Sequence, residues 1–147
     1  MVEGSQRSES GKEFGVIWFT VFFALSLVVL IVLADMGKLR FLLWLMNRFP
    51  YGDKITHFFV IGALSFLVNK VAVRLLPRQN PKRVSMIVTL TLLLLFTLEE
   101  ISQAPIAGRN ASFSDLAANY AGIMTFALLA WQVDKKEEDT SISKSEK

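Results

Sequence analysis

"FGVIWFTVFFALSLVVLIVLA", residues Phe14–Ala34, is a run of 21 residues without a charged side chain. At about 1.5 Å per residue in an α-helix, the run would extend about 31 Å, which matches the hydrocarbon core of a bilayer. It is long for the apolar part of a signal peptide, and no A-x-A-like cleavage site follows it. The run therefore predicts a retained transmembrane helix in an integral membrane protein.

The composition of the 147-residue chain agrees with this prediction, since 52% of the residues are hydrophobic and the mean hydropathy is +0.43. The chain has no cysteine and one histidine, which excludes a disulfide framework, a cysteine-ligated metal site and a multi-histidine metal site. We expect no metal and no cofactor. The net charge of +3 does not predict a nucleic-acid partner, because the cations lie mainly where membrane orientation would place them.

The other spans and the tails follow from the same contrast between apolar and charged segments. Three further apolar segments are long enough to cross a bilayer as helices. They lie at about 55–74, 84–103 and 115–132. The polar segments 1–13 and 133–147 are rich in Ser, Glu and Lys and are expected to be disordered tails. The sequence thus predicts an all-α, integral membrane four-helix bundle over 14–132.

The third span carries two acidic residues near its end. Its uncharged part stops at Leu98, which gives only about 22 Å of helix, so a full crossing needs residues up to about Gln103. Glu99 and Glu100 are therefore expected at the membrane boundary or slightly inside it.

The orientation follows from the distribution of Lys and Arg. The side that holds both tails and the connection between the second and third spans has eleven, and the other side has five. Positive residues favour the cytoplasmic side, so both termini are predicted to be cytoplasmic, in the cell (cytoplasmic or inner) membrane. Lys70 and Arg74 can snorkel at that side. The apolar but basic segment Gly37–Pro50 predicts an interfacial helix in the first outer loop.

Polar residues in the second and fourth spans are spaced to share helix faces near the outer surface. Asp53 and His57 are four residues apart, as are Asp115 and Asn119. With both termini in the cytoplasm, the second and the fourth spans both start at the outer surface of the membrane. The two polar faces are therefore expected to meet.

The end of the third span reaches the same level and adds a third polar face. Glu99 and Glu100 precede Gln103 by four and three residues, so the three side chains occupy one arc of the helix. Arg109, in the following loop, can reach toward them. The predicted pocket residues are Asp53, Lys54, His57, Glu99, Glu100, Gln103, Arg109, Asp115 and Asn119.

Two further patterns concern helix packing. Ala118 and Gly122 form a small-xxx-small pair, which predicts a close approach of the fourth span to a neighbour. Ser65 and Asn69 share a face of the second span and favour hydrogen bonds between helices.

Four short motifs occur in order along the membrane region: "DKITHF" (Asp53–Phe58), "EISQ" (Glu100–Gln103), "GR" (Gly108–Arg109) and "SFSDLAANYAG" (Ser112–Gly122). They resemble the VanZ-like family, whose pattern reads D-K-x-x-H-F, E-x-x-Q, an arginine, and D-x-x-x-N-x-x-G. The resemblance covers about Tyr51–Trp131. The chain departs from the family in "FVIG", where an aromatic residue, often tyrosine, is usual. The matching residues are Asp53, Lys54, His57, Phe58, Glu100, Gln103, Arg109, Asp115, Asn119 and Gly122.

The resemblance implies a role in cell-envelope physiology, because the family is named for an accessory protein of glycopeptide (teicoplanin) resistance. It does not imply a reaction. Our leading hypothesis is a binding protein in the lipid bilayer that handles a lipid-linked or amphiphilic envelope component at the outer face and affects glycopeptide susceptibility.

Two other functions remain open. The chain could be a membrane-embedded hydrolase or transferase acting on a lipid-linked substrate, with His57 and Glu100 as candidate base and acid and Arg109 on a phosphate or carboxylate. It could also be a proton-coupled transporter, although the polar residues cluster at one end and no charge marks the middle of the membrane.

Each polar residue also has a structural alternative. Asp53 could cap the second helix, and Asp115 could form a capping box with Ser112. Lys54 could be an interfacial anchor, and Arg109 could neutralise a neighbouring carboxylate.

Overall fold

The computed structural model describes the backbone of residues 3–39, 51–104 and 112–145, and of four separate positions at 41, 44, 48 and 49. Side chains are described for 14–33, 36–39, 51–104, 112–136 and the same four positions. Arg109 and most of the segment predicted as an interfacial helix lie outside the described residues.

The described chain is helical, and four of its helices are long and apolar enough to span a membrane. They are α1 (Glu3–Asp35), α2 (Gly52–Leu75), α3 (Pro81–Gln103) and α4 (Phe113–Ser145). The prediction of an all-helical chain with four possible membrane spans is thus confirmed. The third helix also ends at Gln103, the residue expected from the length needed to cross a bilayer.

Local signals account for the observed helix ends. Asn80 caps α3 by accepting a hydrogen bond from the backbone N–H of Lys82, and Pro81 fills the first helical position, where no N–H is needed. After Asp35, Gly37 has a φ of 69°, and the N–H of Lys38 bonds back to the carbonyl of Leu33. A glycine with positive φ and this backward bond are typical of a Schellman C-cap.

Helical backbone also extends over the segments expected to be disordered tails. The first helix begins at Glu3, and the fourth continues to Ser145, beyond the predicted limits at 14 and 132. The cost of starting a helix falls on its first turn, so an apolar helix that has already formed can continue into polar sequence with little penalty. Sequence polarity marked the ends of the apolar spans and not the ends of the helices.

Side-chain contacts between the helices define their directions. His57 meets Asn119, and Lys70 meets Asp134, so α2 and α4 run parallel. Ser85 of α3 bonds to Asn69 of α2, near the short connection between them, so α3 runs in the opposite direction. The bundle therefore has a Gln103 end, where α3 ends and α2 and α4 begin, and an Asn80 end, where α3 begins.

The most extensive packing is between α2 and α4. At Gly122 the backbones approach so closely that an added Cβ would lie 2.4 Å from the carbonyl oxygen of Phe58. The close approach expected from the glycine is therefore present. The shared core contains Ile61, Leu64 and the fully buried Ile123, while α1 adds Leu27 and leaves most of its apolar side chains exposed, as a lipid-facing helix does.

Candidate functional site

The predicted polar residues of α2 and α4 make direct contact at the Gln103 end. The Nδ1 atom of His57 lies 3.0 Å from Oδ1 of Asn119, which has no exposed surface. An amide oxygen can only accept, so Nδ1 carries the hydrogen in this pair, and in the neutral form of the ring Nε2 is then an acceptor. Asn119 thereby fixes the orientation of the imidazole.

Lys54 lies between two carboxylates from different helices. Its Nζ is 2.8 Å from Oδ2 of Asp53 and 3.0 Å from Oδ1 of Asp115. The contact with Asp115 is an ion pair to a buried carboxylate oxygen. Lys54 thus joins the start of α2 to the start of α4, which is more than the anchoring role that its position at the membrane boundary suggested.

The capping alternatives do not describe the observed contacts of the two aspartates. The N-cap of α2 is Tyr51, with a φ of 62°, and Asp53 lies in the first helical turn. At the start of α4, the hydroxyl of Ser112 pairs with the hydroxyl of Ser114 at 2.7 Å, while the carboxylate of Asp115 faces Lys54. Asp115 therefore takes part in the contact between α2 and α4, and Asp53 contacts the same lysine from within α2.

Glu100 is the most deeply buried acid with a described side chain, with 3% of its surface exposed. Its Oε1 accepts a hydrogen bond of 2.6 Å from the backbone N–H of Ser112, immediately before α4 begins. A carboxylate near a helix start is favoured by the positive end of the helix dipole. Its Oε2 is also buried and has no hydrogen-bond partner among the described residues.

The other two residues at the end of α3 contact each other. The side-chain amide of Gln103 donates to Oε1 of Glu99, one helical turn earlier. Gln103 is buried and Glu99 is half-buried, so the three predicted residues of α3 do belong to the packed part of the bundle. Glu100, however, reaches α4 separately from the pair that Glu99 and Gln103 form.

The candidate acid and base do not contact each other directly. Among the described contacts, His57 is bound to Asn119 and Glu100 to Ser112, and no hydrogen bond joins His57 to Glu100. Three atoms of this cluster have no hydrogen-bond partner among the described residues: Nε2 of His57, and the buried Oε2 of Glu100 and Nδ2 of Asn119. The arrangement offers both hydrogen-bond acceptors and a donor inside the membrane region.

No group of three or more His, Cys, Asp or Glu side chains among the described residues is arranged to hold a metal ion. The cation close to Asp53 and Asp115 is instead the ammonium of Lys54.

Sequence reasoning missed several partners of the site and of the bundle. Ser112 was absent from the predicted pocket because its contribution is a backbone N–H, which every residue except proline has. The hydroxyls of Thr97 and Tyr120, which also lie outside the predicted pocket, pair at 2.7 Å between α3 and α4. Their spacing along separate helices gives no signal before the register of those helices is known.

The polar residues in the other half of α2 include one correction. Ser65 donates to the carbonyl of Ile123, and Asn69 accepts from Ser85 at 2.7 Å, so the predicted hydrogen bonds between helices are present. Lys70 was expected to snorkel, yet it is buried and its ammonium contacts the carboxylate of Asp134. An acid at the same depth on a parallel helix makes burial of the ammonium possible, since buried charges need partners.

These features define a helical, multi-pass membrane protein with a polar, partly buried cluster at one end of its bundle. Comparison with known protein families, with curated proteins and with solved structures finds no match for the chain. The resemblance to the VanZ-like family consequently rests on the four sequence motifs alone.

Proposed function

We propose that this chain is a VanZ-like protein of the cell membrane, and that the cluster at the Gln103 end binds an amphiphilic component of the cell envelope. The observation that carries the proposal is the buried carboxylate of Glu100, whose Oε2 has no partner among the described residues. Ionisable groups within membrane spans are costly and are typically retained for function or pairing. One oxygen of this carboxylate is paired, and the other is a buried acceptor that the described residues leave without a partner.

The chemistry of the free atoms indicates the class of ligand. Glu100 Oε2 and His57 Nε2 can accept hydrogen bonds, and Asn119 Nδ2 can donate one. Hydroxyl and amide groups both donate and accept, and they are abundant in the sugar and peptide parts of lipid-linked envelope components. The apolar surface of the bundle suits the lipid part of such a molecule.

The distribution of cations supports an outward-facing site. Lys and Arg are concentrated toward the Asn80 end, which the positive-inside rule assigns to the cytoplasm. The Gln103 end would then face the outer leaflet. An effect on glycopeptide susceptibility follows from the family resemblance, because glycopeptides act on envelope components outside the cell membrane.

Single substitutions test this proposal. Glu100→Gln, His57→Ala and Arg109→Ala are each expected to abolish the effect of the chain on glycopeptide susceptibility while membrane abundance stays close to that of the wild type. Glu137→Gln, the same chemical change outside the possible spans, serves as the control and is expected to have no effect. Full activity of all three site variants would refute the proposal, and their loss from the membrane would assign the residues a structural role.

An enzymatic function is the second candidate, and the pair of His57 and Asn119 favours it. A histidine oriented through Nδ1, with Nε2 left to accept a proton, is arranged as a general base. The reaction would be hydrolysis or group transfer on a lipid-linked substrate. Lipid extracts from cells with the wild-type chain and with His57→Ala would differ if this function is present, and identical extracts would exclude it.

A further inference from the structure

A second site lies at the Asn80 end, distant from the polar cluster. A cavity of about 520 Å³ between α2, α3 and α4 is lined by three cationic residues, Arg74, Lys82 and Lys135. It also contains Asp134, but the carboxylate of that residue is paired with the ammonium of Lys70. Among its lining residues, three cations thus stand against one acid.

An apolar groove adjoins this basic cavity. The groove also has a volume of about 520 Å³ and runs between α3 and α4. Its apolar lining includes Met86 and Leu90 of α3 and Met124 and Leu128 of α4. Lys82 and Trp131 line both the groove and the cavity, so the two spaces meet at these side chains.

The geometry of Lys82 and Trp131 is typical of a membrane interface. The ammonium of Lys82 lies 5.7 Å from the centre of the Trp131 ring, within the range of a cation–π interaction. Tryptophan concentrates at the level of the lipid head groups. The pair therefore predicts that the basic cavity lies at head-group level and that the groove extends from it toward the hydrocarbon region.

We infer that the cavity and the groove together bind one anionic phospholipid. The phosphate would contact Arg74, Lys82 and Lys135, and an acyl chain would lie in the groove. Two features carry the inference: the charge of the cavity complements a phosphate, and the groove continues from it in the direction in which an acyl chain extends. Basic pockets between membrane helices are known to hold anionic lipid head groups.

Two neighbouring arginines show why this is more than general surface charge. Arg78 and Arg83 are exposed, as the three lining cations are, and they lie close to Arg74 and Lys82 in the sequence. Neither of them lines the cavity or the groove. A nonspecific attraction to an anionic membrane would depend on all five cations about equally. Binding at a specific site depends mainly on the cations that line that site.

Native mass spectrometry of the full chain in neutral detergent tests the inference. The probes are short-chain phosphatidylglycerol and phosphatidylcholine with identical acyl chains. We expect phosphatidylglycerol to bind more tightly, with a loss of about fivefold in affinity for Lys82→Gln or Arg74→Gln, from the contribution of one cation near a lipid surface. Arg83→Gln and Arg78→Gln are the matched controls and are expected to retain wild-type affinity.

A second arm tests the groove. Met124 is exposed and lines the groove without belonging to the core, so Met124→Trp narrows the groove with little risk to folding. This variant should bind short-chain phosphatidylglycerol more weakly. Glycerol 3-phosphate, which lacks acyl chains, should not compete at the concentration at which the lipid binds.

Three results would each overturn the inference. The first is equal affinity for the two phospholipids. The second is an equal loss of affinity in Arg83→Gln and Lys82→Gln. The third is effective competition by glycerol 3-phosphate, which would show a site for a free phosphate ester instead of a lipid. None of these measurements depends on the function of the Gln103 end.

Discussion

The backbone N–H of Ser112 donates a hydrogen bond of 2.6 Å to Oε1 of Glu100, so the end of α3 holds the start of α4. The same carboxylate has a second oxygen without a partner among the described residues. One oxygen of Glu100 thus makes a structural contact, and the other has no hydrogen-bond partner among the described residues. Its two possible roles can be separated because different substitutions affect them differently.

Glu100→Gln and Glu100→Ala are expected to differ in stability and to agree in loss of activity. Glutamine retains an oxygen that can accept from Ser112, whereas alanine leaves that partly buried N–H without its partner, at a cost of about 1 kcal/mol. Thermal unfolding of the detergent-purified chain should therefore show a clearly lower midpoint for Glu100→Ala alone. If Glu100→Gln unfolds as early as Glu100→Ala, the charge itself holds the helices together.

The contact of Lys54 with Asp115 predicts a measurable coupling between α2 and α4. Lys54→Met leaves two carboxylates close together without their cation, and Asp115→Asn removes one of those charges. The double variant should consequently be more stable than the sum of the single effects predicts, with a coupling of about 1 kcal/mol for this partly exposed pair.

Unfolding free energies of the wild type, both single variants and the double variant complete this cycle. Ser102→Ala, at an exposed position near the same end, is the control and should show no coupling with Lys54→Met. Strict additivity of Lys54→Met and Asp115→Asn would mean that the contact contributes nothing to stability.

The approach of α2 and α4 at Gly122 predicts a strong effect of a single methyl group. In Gly122→Ala the new Cβ would meet the backbone carbonyl of Phe58 at 2.4 Å, so one helix has to move. Overpacking of this kind costs about 1–3 kcal/mol. Gly15→Ala in α1, where no atom lies within 4 Å of the added Cβ, is the matched control and should be neutral or slightly stabilising.

Thermal unfolding of both alanine variants provides the measurement. Because Gly122 lies one turn from Asn119, the displaced helices should also separate Asn119 from His57. A Gly122→Ala chain with wild-type stability would contradict the observed distance between the two backbones.

The sequence predicts four helices long enough to span a membrane and several residues that contact one another in the structure, but it does not predict all of their partners. Charge-free length predicts the four apolar helices, and the shortness of the uncharged run before Glu99 predicts acids at the membrane boundary. Four-residue spacing puts Asp115 and Asn119 on one face. These signals are local, so they can be read before any helix has a neighbour.

The contacts that could not be predicted from the sequence depend on how the helices are aligned with one another. Lys70 and Asp134 are 64 positions apart, and their meeting requires that α2 and α4 run parallel at one particular offset. The bond from Ser112 to Glu100 uses a backbone donor that has no signature in sequence. The helical backbone beyond the apolar spans is similarly invisible to hydropathy, which reports burial in lipid and not helix length.

The orientation of the bundle yields the last prediction. The natural chain has no cysteine, so single cysteines can be introduced as labels without background. Ser114→Cys lies at the Gln103 end and Gln79→Cys at the Asn80 end, and both positions are exposed. With the Asn80 end in the cytoplasm, a membrane-impermeant maleimide should label Ser114→Cys in intact cells and should label Gln79→Cys only after the membrane is opened. The reverse pattern would place the polar cluster on the cytoplasmic side, and a ligand of the outer leaflet could then not reach Glu100.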